Sequence, residues 1–359
     1  MLFRSRLPAG WLPVALCALG AIGMLWASVP MAERLDGFKS FIKLLFIPLL
    51  MLQFRRSEHG SWVLVVFLIS CTTLLALSWI LKFAPQLAWW PIEIAGVPVK
   101  DYLAQGAEFM ICALLLADWA ILKWNRARWR DTFLILLLMS VFLLNLLFVT
   151  FNRTILVVLP VLIVLFSVSR FKWRGAVAII VSAFVLLAIA WPFSEPLRRR
   201  VLSFKTEVQA YGVNEERTSA GERLEFYKKS IGFVSSAPII GHGTGSIREL
   251  FRQSTMGQSG IAAVASANPH NQTLGVAIQL GLLGVMVLFA MWIAHVLLFR
   301  ATGIAAWIGM VVVVQNLVSS LFNSHLFDFT HGWLYVVGVG IAAGTVLYER
   351  AAEQGGAAP

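Results

Sequence analysis

The sequence predicts an all-α polytopic membrane protein with about 10–12 transmembrane helices, on three observations. Of its 359 residues, 59% are hydrophobic and only 13% are charged. The apolar residues come in repeated runs of roughly 17 to 25, the length that a helix needs to cross hydrocarbon. These runs are continuous, without the strict alternation of a β-barrel, and lipid leaves backbone polar groups no partner outside helices or closed barrels.

About ten spans follow, with limits near 11–29, 39–53, 62–81, 102–122, 132–151, 155–169, 175–193, 273–299, 303–321 and 333–348. The second and sixth are short, which leaves room for eleven or twelve crossings. Arg4 and Arg6 precede the first run as in a signal peptide, but further spans follow and the first helix is read as uncleaved. The division expected is an N-terminal bundle over 1–193, a loop over 194–272, and C-terminal helices with a short tail over 273–359.

Positive residues in short loops stay cytoplasmic, so Lys and Arg fix the orientation. With the N-terminus inside, the inner loops collect Arg4, Arg6, Arg55, Arg56, Lys123, Arg126, Arg128, Arg130, Arg170, Lys172, Arg174, Arg300 and Arg350. The outer loops hold fewer, among them Arg34, Lys82 and Lys100. The long loop therefore lies outside. Topology accounts for most of the net charge of +11, and nothing calls for nucleic acid as a partner. Cys17, Cys71 and Cys112 lie in or beside spans without metal or disulfide spacing, as inert core thiols would. A transporter would scatter ionisable groups through its spans. Here only Lys43, Glu108, Asp118 and His295 are intramembrane candidates, and the polar residues gather on the outer side.

The long loop has internal structure. Ser219 and Glu222 have the spacing of a capping box, and Leu224, Tyr227, Ile231 and Val234 recur at helical intervals, as a face packed on protein or on the membrane interface would. Pro238 ends the helix. Arg223 stands in its first turn, one residue off that stripe, where it either meets solvent or reaches a bound anion. Gly241–Ser246, GHGTGS, is a glycine-rich turn with Gly243 and Gly245 able to bring backbone N–H groups to phosphate. It lacks the Lys of a Walker A loop, and a plain turn is the competing reading.

Arg153 follows Asn152 at the outer junction of two spans, where it either snorkels to lipid phosphates or grips a diphosphate through its planar fork. The glycosylation sequons at Asn152 and Asn271 hug the membrane and are read as chance. His270, in ANPHNQTLG, is stiffened by Pro269 and anchored by the helix that follows; a neutral imidazole there could take a proton from an attacking hydroxyl. His325, Asp328 and His331 form another outer cluster, with acceptor contact, helix capping and metal binding all open to it. The basic run Arg198, Arg199, Arg200 and Lys205 suits a phosphate-rich ligand or anionic headgroups. Tyr211 and Arg217 stand where they could touch glycan.

Arg153, then GERLEFYKKSIGFVSSAPIIGHGTGSI, then NPHNQTLGVAIQLGLLG resemble, in order and side, the motifs of the O-antigen ligase family and its relatives, the O-antigen polymerases and protein O-oligosaccharyltransferases. The motif-bearing match covers roughly 130–300. The resemblance implies a GT-C-type helical fold in the bacterial inner membrane with a partly helical periplasmic loop. It implies a metal-independent, inverting glycosyltransferase, without cofactor, that moves a glycan from undecaprenyl diphosphate to a sugar hydroxyl of lipid A–core. Carried over by residue, Arg153 and Arg223 would hold the diphosphate, His270 would activate the acceptor, and Asn271, Gly243 and Gly245 would assist at the site. The family usually has twelve spans, where this chain shows about ten. A polymerase extending the polyprenyl-linked glycan and a lipid-linked oligosaccharide transporter are the alternatives.

Overall fold

The computed structural model describes residues 7–99, 101–199, 201–202 and 218–355. Tyr211, Arg217, Arg200 and Lys205 lie outside the described residues. The described residues contain no strand. In chain order the helices are α1 (Pro8–Gly23), α2 (Met31–Ile42), α3 (Phe46–Phe54), α4 (Gly60–Phe83), α5 (Tyr102–Asn125), α6 (Trp129–Phe148), α7 (Arg153–Arg170) and α8 (Trp173–Ala190). After the loop come α9 (Ser219–Ser236), α10 (Ile247–Thr255), α11 (Gln272–Leu298), α12 (Ile304–Ser319) and α13 (Phe329–Glu353). Each apolar run read from the sequence falls on a helix. Seven of these helices, α4 to α8, α11 and α13, are long and apolar enough to span a membrane. α1 and α12 are shorter apolar helices, and the run near 39–53 is the bent α2–α3 pair joined by a 3-10 turn over Lys43–Leu45.

The chain forms two compact units, Met1–Gly60 with Phe204–Pro359, and Ser61–Ser203. In the second unit α5 packs against α6 and α7, and α7 against α8. Val181, Phe184, Leu186 and Ile189 of α8 face outward, an apolar surface of the kind that lipid covers. A buried polar cluster lies in its interior: Asn145 and Gln105 both donate to the Ser78 hydroxyl, at 2.9 and 3.0 Å, and that hydroxyl donates to the Gly96 carbonyl. Arg170 meets Asp118 at 2.7 Å.

In the first unit α1 packs on α11, and α13 on α3 and α12. Helix α11 is not continuous. Gly281 has φ 60° and ψ −158°, a break that frees backbone N–H groups inside the protein. The chain just after α9 satisfies them, with the N–H of Leu282 donating to the Pro238 carbonyl at 2.8 Å and that of Leu283 to Ile239 at 3.3 Å. Irregular backbone at membrane depth survives only when buried protein supplies such partners. A Cβ at position 281 would lie 2.3 Å from the Ile239 carbonyl, so only glycine fits the break. The ionisable groups within this unit's spans are likewise held: Lys43 donates to the Asp328 carbonyl at 2.6 Å, and His295 sits between the Tyr335 hydroxyl (2.7 Å) and the Ala9 carbonyl (3.0 Å).

Candidate functional site

The site is built on α9 and on the strained loop before α11. The cap of α9 is Thr218, one residue before the expected Ser219; its hydroxyl accepts the N–H of Gly221 at 3.1 Å. The helix stops at Ser236, ahead of Pro238 as expected. Its packing face also differs from the expected stripe. Leu224 and Ile231 are exposed, whereas Gly221, Glu225, Phe226 and Ser230 are buried. Phe226 anchors a small core with Ile247, Phe251 and Ile278, and Val234 packs against it. Arg223, Phe226 and Tyr227, at three- and four-residue spacing, thus share the helix side that meets the loop of His270.

That loop is wound by local hydrogen bonds. The Ser266 hydroxyl accepts the Asn268 N–H at 3.0 Å, and the Asn268 side-chain oxygen accepts the His270 N–H at 2.8 Å. His270 consequently adopts φ 53°, a left-handed conformation uncommon outside glycine and costing about 1 to 3 kcal/mol. The Tyr227 hydroxyl is shared between the carbonyls of His270 (3.0 Å) and Leu321 (2.7 Å). The Phe226 ring stacks on the imidazole with centroids 5.7 Å apart. Asn271 caps α11 by accepting the Leu274 N–H at 3.0 Å and donates to the Leu321 carbonyl at 3.2 Å. Both ends of its amide serve the scaffold, which makes it a positioning residue for its neighbour.

Electrostatics tie four side chains into one cluster. Burial, then the charge of Arg223, lowers the pKa of His270, and hydrogen bonding to Asn323 works the other way. His270 Nδ1 is buried without a hydrogen-bond partner among the described residues. His325, only 1% exposed, is pushed down to about 2 by burial and then by His331, Arg223 and His270. Its ring lies 4.0 Å from that of His331, and neither of its nitrogens has a hydrogen-bond partner among the described residues. The outer polar cluster of the sequence is therefore part of the same site. Its Asp328 is a helix cap, accepting the His331 N–H at 3.0 Å. Among the described residues no three His, Cys, Asp or Glu side chains converge as a metal ligand set.

The glycine turn does something other than cradle phosphate. The N–H groups of His242 and Gly243 donate to the Ile278 and Gln279 carbonyls of α11, that of Thr244 to Gly23 of α1, and that of Gly245 to the Gln279 side chain at 2.8 Å. Thr244 also donates its hydroxyl to the Gly20 carbonyl at 2.6 Å. Gly243 and Gly245 have φ of 89° and 92°, and a Cβ on either would strike Ala27 or the Glu33 carbonyl within 2.6 Å. The turn is a clasp that joins α1 to the broken α11.

Beside the clasp lies a cleft of about 220 Å³, entirely within the first unit. Glu33, Asp36, Arg248, Asn268, Pro269, Ser324 and Phe327 are among its lining residues. No single motif announced it, because its walls come from α2, the clasp, and the loops before α11 and α13. Its carboxylates, Glu33 and Asp36, lie just ahead of the apolar run at 39–53.

Arg153 belongs to the second unit. It is the first residue of α7, whose cap is Asn152, the side chain of which accepts the Ile155 N–H at 2.9 Å. A guanidinium at a helix N-terminus adds to the positive end of the dipole, and together they favour an anion.

Comparison with known proteins gives one family. Residues 137–289 match the family model described as O-antigen ligase, a stretch that takes in Arg153, all of α9, the clasp, and His270. No curated protein matches the chain. The chain thus carries an O-antigen ligase family domain, set in an all-α polytopic membrane protein.

Proposed function

We propose that this protein joins a glycan, carried on a polyprenyl diphosphate such as undecaprenyl diphosphate, to a sugar hydroxyl of a lipid A–core acceptor. The observation that carries the proposal is the pairing of a half-buried, left-handed His270 with the charge of Arg223. Burial and the guanidinium keep the imidazole neutral near pH 7, the state in which it accepts a proton. As the acceptor oxygen attacks the anomeric carbon, His270 takes its proton. The bond from that carbon to the diphosphate oxygen breaks, and the diphosphate leaves with the electron pair.

Negative charge grows on the leaving diphosphate, so a preorganised guanidinium lowers the barrier. Removing one such donor commonly costs about 10²- to 10³-fold. Arg223 is assigned this role, and the sequence resemblance assigns Arg153 to the diphosphate as well. Attack from the face opposite the leaving group inverts the anomeric centre. The neutral base and the Arg223 guanidinium are the chain's own contribution to this chemistry. Gly243, Gly245 and Asn271 act here through the scaffold, by holding the clasp and the His270 loop. The Lys and Arg distribution supports a site on the side away from the cytoplasm, and the family resemblance an inner-membrane location.

The test is a purified system of undecaprenyl-diphosphate-linked glycan and lipid A–core. Glycan should appear on lipid A–core with wild-type protein and not with His270 variants. Growth on the polyprenyl carrier would mean a polymerase, and no transfer with any donor or acceptor would mean that the protein only moves or binds these lipids.

A further inference from the structure

The cleft beside His270 has a lining of a particular chemical kind. Glu33 and Asp36 bring carboxylates, Asn268 and Gln279 amides, and Ser40 and Ser324 hydroxyls. Pro269 and Phe327 add apolar faces, and Arg248 contributes positive charge. Carboxylates and amides accept hydrogen bonds from hydroxyls in pairs, and a flat apolar side chain packs on the C–H face of a sugar ring. Glu33 and Asp36, three residues apart on one side of α2, disfavour a phosphate on that wall of the cleft. At about 220 Å³ the cleft has room for a sugar ring.

Two groups in the cleft wait for a partner. Ser324 is 3% exposed, and its hydroxyl has no hydrogen-bond partner among the described residues. One carboxylate oxygen of Glu33 is buried and equally without one. Buried polar atoms are nearly always satisfied, so each exception calls for a functional or structural reason, and a bound polyol would supply one here. The cleft also borders both histidines through the chain: Asn268 and Pro269 lead directly into His270, and Ser324 precedes His325.

We propose that this cleft binds the acceptor's terminal sugar as a neutral polyol, with Glu33, Asp36 and Ser324 taking its hydroxyls and Phe327 its ring face, so that one free hydroxyl is offered to His270. This rests on the transferase reading above and adds the acceptor subsite and its selectivity: the terminal ring is uncharged, and acceptor phosphates bind elsewhere.

The experiment is steady-state transfer with donor saturating and acceptor varied, for wild type, Glu33→Gln, Asp36→Asn and Ser40→Leu, each first shown by thermal melting to be folded. The acceptor KM should rise about 10- to 100-fold in Glu33→Gln and Ser40→Leu, with the donor KM unchanged. Dephosphorylated, deacylated core oligosaccharide should compete with the acceptor as well as its phosphorylated form does. If wild type transfers glycan while the acceptor KM stays put in all three variants, or if only phosphorylated oligosaccharide competes, the subsite proposal is overturned. If wild type transfers nothing, the transferase reading itself falls.

Discussion

The Asn268 side chain accepts the backbone N–H of His270 at 2.8 Å and thereby holds the histidine at φ 53°. Backbone strain thus falls on the residue that the proposal puts at the reacting hydroxyl. Tyr227, bridging the carbonyls of His270 and Leu321, and Asn271, capping α11, over-determine the same geometry. Replacing Asn268 by Ala should let the loop relax toward ordinary dihedrals. We expect kcat to fall about tenfold or more, since a misplacement near 1 Å can cost up to 10²-fold, while the melting temperature changes little. Hydrogen exchange at the amide of His270 reads the relaxation directly.

The pH profile carries the next expectation. The folded pKa of His270 lies below 6.5, so the base is neutral at pH 7 and its activity is lost only as pH falls through that lowered value. Arg223→Gln removes one of the two depressing influences. The acid limb of kcat/KM should move toward higher pH, whatever the loss in amplitude, and an unmoved limb would separate His270 from the charge of Arg223.

His325 makes a prediction about stability. Its pKa is about 2 in the fold against about 6.5 when unfolded. A depressed pKa means stability that is complete above the unfolded value and lost as pH falls, because the unfolded chain binds the proton first. Each pH unit below 6.5 should cost about 1.4 kcal/mol. His325→Phe should flatten the fall of melting temperature between pH 6.5 and 4.5, measured in detergent.

Two glycines with similar dihedrals should respond very differently to alanine. Gly257 has φ 72° with nothing within 4 Å of a Cβ, so Gly257→Ala should cost about 1 to 2 kcal/mol from backbone conformation alone. Gly281 has φ 60° but its Cβ would lie 2.3 Å from the Ile239 backbone, where neither strand of chain can move without losing the hydrogen bonds that bridge the break. Gly281→Ala should abolish folded protein on size exclusion.

Much of this architecture is legible in the sequence for a simple reason. Lipid demands long apolar helices, so hydropathy alone marks the seven described helices that are long enough to cross a membrane, and Pro238 marks the end of α9. What escapes is set by distant chain. The break at Gly281 lies inside an unbroken apolar run and exists because the 237–245 segment inserts there. Leu224 and Ile231 obey helical spacing yet point outward, since Phe226 takes the inner face against Phe251. At the site, His270 and Arg223 are visible as motif residues, but only the fold brings His325 and His331 beside them. GHGTGS reads as a phosphate loop or a plain turn until its amides are traced to α1 and α11.

The central claim is that a neutral His270 beside Arg223 drives glycan transfer. The most direct measurement uses His270→Asn, because asparagine tolerates the left-handed conformation and leaves the loop in place while removing the base. With purified protein, polyprenyl-diphosphate-linked glycan and lipid A–core, His270→Asn should bind donor as wild type does and lose about 10²- to 10⁴-fold in kcat. Wild-type turnover in that variant, with transfer intact, would contradict the account.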